Sequence, residues 1–142
     1  LNIFPPLFFN RIHLKKISPD YKQMEVILKK SFSNINYYKS IFGGSIFSAC
    51  DPFFPIMYYH IFKKRKLVVW VKNAEIQYLN PARSSLKLNF LISDDQINEI
   101  NKNLKINGKH EIQNEVLAID NEKNICAKAI INVYLRDPSF IN

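Results

Sequence analysis

Apolar and polar positions alternate along much of the chain, and each alternating stretch predicts a strand with one face buried. From Gln23 to Phe32, Met24, Val26 and Leu28 alternate with Glu25 and Lys29. From Leu67 to Leu79, Ala74, Ile76 and Tyr78 share one face. Leu86, Leu88, Phe90 and Ile92 form a second strict alternation, and Ile112, Asn114, Val116 and Ala118 a third. The longest and cleanest runs through Ala127, Ala129, Ile131, Val133 and Leu135. Two stretches follow another period. Ser45 to Phe62, opened by Gly43-Gly44, is apolar almost all the way round, as a buried helix is. Ser93-Asp94-Asp95-Gln96 is a capping box with acids in the first turn, followed by Ile97, Ile100 and Leu104 at helical spacing and closed by Asn107-Gly108. Turns are signalled at Ser18-Pro19-Asp20, at Asn80-Pro81 and over Asp120 to Asn124.

The predicted order is strand, buried helix, then four strands with one surface helix inserted. Short links between consecutive strands favour antiparallel pairing. One apolar helix and one sheet can bury each other, so the expected class is α+β, an antiparallel sheet wrapped around a long central apolar helix. At 142 residues the chain fits a single domain over 1–142. Residues 1–20 form an apolar and basic lead-in, with a short helix after Pro6.

Composition narrows the partners. An apolar content of 47% excludes global disorder. Two cysteines, Cys50 and Cys126, give no disulfide framework and suit a reducing compartment, the cytoplasm. The net charge of +8 permits an anionic partner. The only dense basic run, Lys63-Lys64-Arg65-Lys66, reads first as a solvated face, which puts nucleic acid third among the expectations. The apolar stretch Ile3 to Phe9 is too short to span a bilayer and contains Pro5 and Pro6. No basic leader or small-residue cleavage site marks a secretory signal. The chain opens at Leu1 rather than at a methionine, which leaves room for an upstream piece.

Candidate chemistry is concentrated in the apolar stretch. Asp51 stands among Phe47, Cys50, Phe53 and Phe54, and burying an unpaired carboxylate is costly. It could cap a helix that starts at Pro52. Alternatively the helix starts at Gly44 or Ser45, kinks at Pro52, and carries Asp51 two turns inside it as a catalytic carboxylate. Gly43-Gly44 likewise reads as a loop needing left-handed dihedrals, or as a backbone N–H at a helix start aimed at a carbonyl oxygen. His13, His60 and His110 have no metal-ligand spacing, and His60 reads as a hydrogen-bonded core residue. Nucleophile-elbow, phosphate-loop and dinucleotide-binding glycine patterns do not occur.

Asn34-x-Asn36, Phe42-Gly43-Gly44-Ser45 and Asp51-Pro52-Phe53, in that order, resemble a bacterial hotdog-fold family catalogued mainly as a domain of unknown function and related to the phenylacetate-pathway acyl-CoA thioesterases. Val69-Trp70-x-Lys72, Tyr78-Leu79-x-Pro81 and Ala127-x-Ala129 with Val133-Tyr134 continue the likeness, which runs from about Pro6 to Arg136. Three positions depart from it. Val71 stands where the family has an acid, Phe42 where the thioesterases have His, and Asp120 to Asn124 lack the usual turn glycine.

The resemblance implies a hotdog domain that hydrolyses an acyl-CoA or similar thioester. Asp51 matches the acid of the thioesterases' central helix, and Gly44 the residue whose N–H holds the oxyanion. Asn36 would orient water or the thioester. Gly43, Ser45, Phe47, Phe53, Phe54 and Met57 would bound the thioester and its acyl slot. Arg83 and Lys87 would meet the nucleotide phosphates. Coenzyme A enters as part of the substrate, and no other cofactor or metal is expected. Helix geometry adds a constraint. Gly44 and Asp51 are seven residues apart, about 10 Å along a helix, whereas a carboxylate must come within roughly 3 Å of the reacting centre or its water. If both act, Asp51 comes from a second copy, so a homodimer or homotetramer is expected. The rival expectation is a non-catalytic hotdog module that binds an acyl chain or a protein partner.

Overall fold

The computed structural model describes residues 1–141. Six strands form one antiparallel sheet: β1 (Ile12–Ile17), β2 (Gln23–Leu28), β3 (Val68–Tyr78), β4 (Leu86–Leu91), β5 (Lys109–Ile119) and β6 (Ile125–Arg136). Their order across the sheet is β1-β2-β4-β5-β6-β3. The helices are α1 (Pro5–Phe9), α2 (Gly43–Cys50), α3 (Phe53–Ile61) and α4 (Asp94–Asn107).

The expected alternation holds where it was strict. Leu86, Leu88 and Phe90 of β4, Ile112, Asn114, Val116 and Ala118 of β5, and the five odd positions of β6 from Ala127 to Leu135 are all buried. They close on the apolar side chains of α2 and α3. Phe53 and Phe54 meet the Phe90 ring at 5.1 and 5.0 Å between centroids. The one polar side chain on β5's inner face is fully used. Asn114 accepts from the Tyr58 hydroxyl at 2.6 Å and from Gln96 at 3.1 Å, and its amide donates to the Ile112 and Ile131 carbonyls. β4 and β5 pair only at Lys87–Ile119 and Leu88–Ala118, because α4 is inserted between them. The capping box forms as expected: Gln96 N–H donates to Ser93 Oγ and the Gln96 side chain accepts from Ser93 N–H. Gly108 ends α4 at φ +72°.

Three expectations are corrected. The lead-in segment carries a strand, β1, whose alternation is broken by a register shift between Leu14 and Lys16, so two consecutive lysines hide it. The first short helix starts at Pro5, where prolines need no N–H partner. The central helix starts at Gly43, ahead of the expected Gly44 or Ser45, and breaks into α2 and α3 at Asp51-Pro52, where the alternative with a kink places the break. Both joining residues keep helical dihedrals (φ −70°, ψ −50° and φ −84°, ψ −18°). Pro52 and Pro55 each lack an N–H, so the ladder breaks there while the chain continues in helical sense. The missing turn glycine is replaced by two devices. Lys123 takes φ +71°, and Asp120 Oδ1 accepts from the Glu122 and Asn124 N–H groups.

Candidate active site

α2 starts at Gly43, so its first free N–H groups belong to Gly43 and Gly44. The first intrahelical bonds come from Ser45 and Ile46, both to the Phe42 carbonyl. Gly44 is exposed and its N–H points from the positive end of the helix dipole. Both glycines have close neighbours. A Cβ on Gly43 would sit 3.1 Å from the Tyr78 ring, and one on Gly44 would run into Cε1 of Phe42. The Tyr78 hydroxyl donates to the Gly43 carbonyl at 3.0 Å and fixes this turn against β3.

Beside it lies a pocket of about 450 Å³ that includes Asn36, Ile41, Gly43, Ile46, Tyr78 and Arg83 in its wall. Three of the sequence-derived candidates therefore meet here: Asn36, Gly43 and the exposed Arg83. Tyr78 was not among the candidates. Its signal was its place on the inner face of the third strand, although periodicity alone does not show that its hydroxyl reaches the helix start.

The other candidates are dispersed. Asn36 Oδ1 accepts from the Tyr38 and Ser40 N–H groups at 2.9 and 3.2 Å, and its amide donates to Ser40 Oγ, so this side chain organises its own loop. Ser45 is buried and its hydroxyl donates to Asn10 Oδ1 at 3.0 Å, which fastens α1 to α2. Phe53, Phe54 and Met57 have no exposed surface at all and fill the core rather than line an open slot. Phe47 is half-buried. Lys87 alternates with the buried Leu86 and Leu88, so it lies on the outer face of the sheet, away from the helices.

Asp51 is half-buried, and its carboxylate has no hydrogen-bond or ion-pair partner among the described residues. Burial raises its pKa above the usual carboxylate value. α3 begins without any side-chain cap, so the capping role is not taken up. Asp51 is not part of the wall of the Gly43 pocket. Its neighbour Cys50 is buried and its thiol is pushed up to about 12, first by burial and then by the Asp51 charge, which leaves no thiolate to act as a nucleophile near neutrality. His60 stacks on Tyr21 at 4.4 Å instead of bonding into the core.

The raised pKa has a sign that can be tested. The folded chain keeps the Asp51 proton at pH values where the unfolded chain has lost it. Ionisation therefore costs stability progressively as pH rises from the ordinary carboxylate value through the raised one, and the whole cost is present above it. Asp51→Ala is expected to melt at the same temperature as the parent or higher at pH 7. A cap would instead lose about 1 kcal/mol on the same change, and a thermal melt followed by circular dichroism distinguishes the two.

A curved antiparallel sheet closed around a central helix defines a hotdog fold. The chain belongs to the family described as a domain of unknown function (DUF4442), which matches residues 2–135. Solved structures share the fold at low identity. A protein of unknown function from Pseudomonas aeruginosa, described as a probable thioesterase, is 15% identical at TM-score 0.76, covering 89% of this chain and 83% of its own. The PaaI protein of the E. coli phenylacetic acid degradation operon is 13% identical at TM-score 0.69, covering 94% and 85%. A thioesterase from Haemophilus influenzae is 8% identical at TM-score 0.70, covering 98% and 87%. No curated protein matches the chain. None of the helices among the described residues is long and apolar enough to cross a membrane.

Proposed function

We propose that the chain hydrolyses an acyl-CoA or similar acyl thioester at a site shared by two copies. The observation that carries this reading is Asp51: a half-buried carboxylate with no partner among the described residues, held inside the central helical run of a hotdog fold. A group kept at such cost is a candidate for chemistry. The thioester carbonyl would accept from the Gly44 N–H. Asp51 of the second copy would take a proton from water while the water oxygen bonds to the carbonyl carbon. The resulting oxyanion rests at the helix start, the C–S bond then breaks, and the thiolate leaves as thiol with the proton. Arg83 at the pocket rim is placed for the phosphates of coenzyme A; Tyr78 and Asn36 hold the pocket's shape. The two-copy arrangement is supported by β3, an 11-residue strand at the sheet edge, since a long strand with one open side offers its backbone N–H and C=O groups to a second chain.

One observation favours the rival, a module that binds an acyl chain without cleaving it. The Phe42 ring lies against Gly44 where the resembling thioesterases place a polar group. Incubation of the purified protein with acyl-CoAs of graded chain length, with thiol release followed by a chromogenic disulfide, separates the two. Turnover of any of them is the expected result. No turnover, with acyl chains retained through purification, overturns the hydrolase in favour of the binder.

A further inference from the structure

Residues 1–19 and 26–50 contain no Asp or Glu, and the fold gathers their most apolar parts at one end of the sheet. α1 and the 3-10 turn Phe32–Asn34 are tied together there. The buried Asn34 amide donates to the Lys29 and Asn10 carbonyls at 2.8 and 3.3 Å, and Asn10 Nδ2 donates to the Pro6 carbonyl at 2.8 Å. Only Leu7 of α1 is buried. Ile3, Phe4, Phe8, Phe9 and Phe32 face outward, with exposures from 49% for Phe8 to 88% for Ile3 and Phe32. Tyr37 and Tyr38 of the following loop are also exposed. Single apolar side chains on a surface are ordinary, but a group of this size on one end marks a contact.

The charge around the group states what kind of contact. Arg11, Lys29 and Lys30 stand on the same end, where β1 begins and β2 finishes: Lys29 N–H donates to the Arg11 carbonyl and Lys30 Nζ to the Arg83 carbonyl at 2.9 Å. Burial, and then the charges of Lys29 and Arg11, hold the His13 pKa below its usual value. Asp120 and Glu122 are the acids of the β5–β6 turn, which reaches this end through the Asn121–Ser84 bond. β5 lies two strand positions from β2 and three from β1, about 10 and 14 Å, beyond the roughly 8 Å range of exposed charges in physiological salt. The end is thus aromatic, aliphatic and positive. An anionic bilayer matches both properties, because aromatic rings settle at the headgroup level and cations follow the surface potential. The basic run Lys63–Lys66 lacks apolar companions of this kind, and its Arg65 is engaged with Asn101 and Asp137.

We propose that the end of the molecule formed by α1 and the Phe32–Asn34 turn docks onto the surface of an anionic phospholipid bilayer, inserting Phe4, Phe8 and Phe9 at headgroup depth. This docking does not depend on thioester hydrolysis. Flotation with phosphatidylcholine vesicles and with phosphatidylcholine–phosphatidylglycerol vesicles tests it. The parent chain is expected to float with the anionic vesicles only, and added salt is expected to release it. Phe8→Ser/Phe9→Ser, both at exposed positions, should lower the partition about 100-fold, and Lys29→Gln about fivefold. Lys63→Gln/Lys64→Gln should bind as the parent does. Circular dichroism melts establish that each variant is folded. Failure to float with either vesicle overturns the proposal, as does undiminished binding by a folded Phe8→Ser/Phe9→Ser chain. Lipid-free self-association that this variant abolishes also overturns it, by assigning the patch to a second copy of the chain.

Discussion

Asp51→Asn is expected to fold and assemble as the parent chain does, yet to hydrolyse acyl thioesters about 10²- to 10⁴-fold more slowly. The amide fills the same volume and keeps an acceptor, but it cannot take the proton from water. Because the folded environment raises the Asp51 pKa by burial, kcat/KM of the parent should rise with pH through a value above the ordinary carboxylate range. That limb should vanish in the variant. Subunit mixing tests where the carboxylate acts. Gly44→Pro removes the candidate oxyanion donor at a first-turn position that needs no N–H partner, and the added ring displaces only the exposed Phe42 side chain. Each single variant should be nearly inactive. Co-expressed, they should recover about a quarter of parental activity, since half of randomly formed dimers are mixed and each mixed dimer keeps one intact site. A site confined to one chain gives no recovery.

How far the sequence reached depends on which physical signal each feature leaves in it. Strands β4, β5 and β6 bury one face against the helices, so their period of two is written directly in Leu86-Leu88-Phe90 or Ala127 to Leu135. The capping box at Ser93 is equally local. β1 was hidden because its register shift falls on Lys15-Lys16 and removes the alternation. The absence of a cap at Asp51 depends on backbone dihedrals at a proline junction, which no periodicity encodes. For the site, Asp51 could be singled out because a carboxylate in an apolar run is chemically anomalous. The pocket wall could not. Tyr78 reaches the Gly43 carbonyl across 35 residues of chain, and Asn36 turns out to be consumed by its own loop. Residue type alone likewise cannot tell a ring that lines a slot from one that fills the core.

That distinction makes the second large effect specific. Phe54→Ala is expected to destabilise the fold by about 3–5 kcal/mol, a fall in melting temperature of roughly 10–17 °C for a chain of this size. Phe54 has no exposed surface, and its ring meets Phe90 edge-on at 5.0 Å. Phe53 packs on the other part of the same ring, so the hole left behind cannot close without moving β4. The half-buried Phe47 has solvent on one side, and Phe47→Ala should cost markedly less. If Phe54 instead lined the acyl slot, its truncation would leave the melting temperature nearly unchanged and shift preference toward longer acyl chains. Melting curves of the two variants, set beside turnover against acyl-CoAs of graded length, discriminate the alternatives. Loss of stability without a change in chain preference assigns Phe54 to the core, and the acyl chain must then be accommodated nearer the Gly43–Tyr78 pocket, where Ile41 and Ile46 supply the apolar wall.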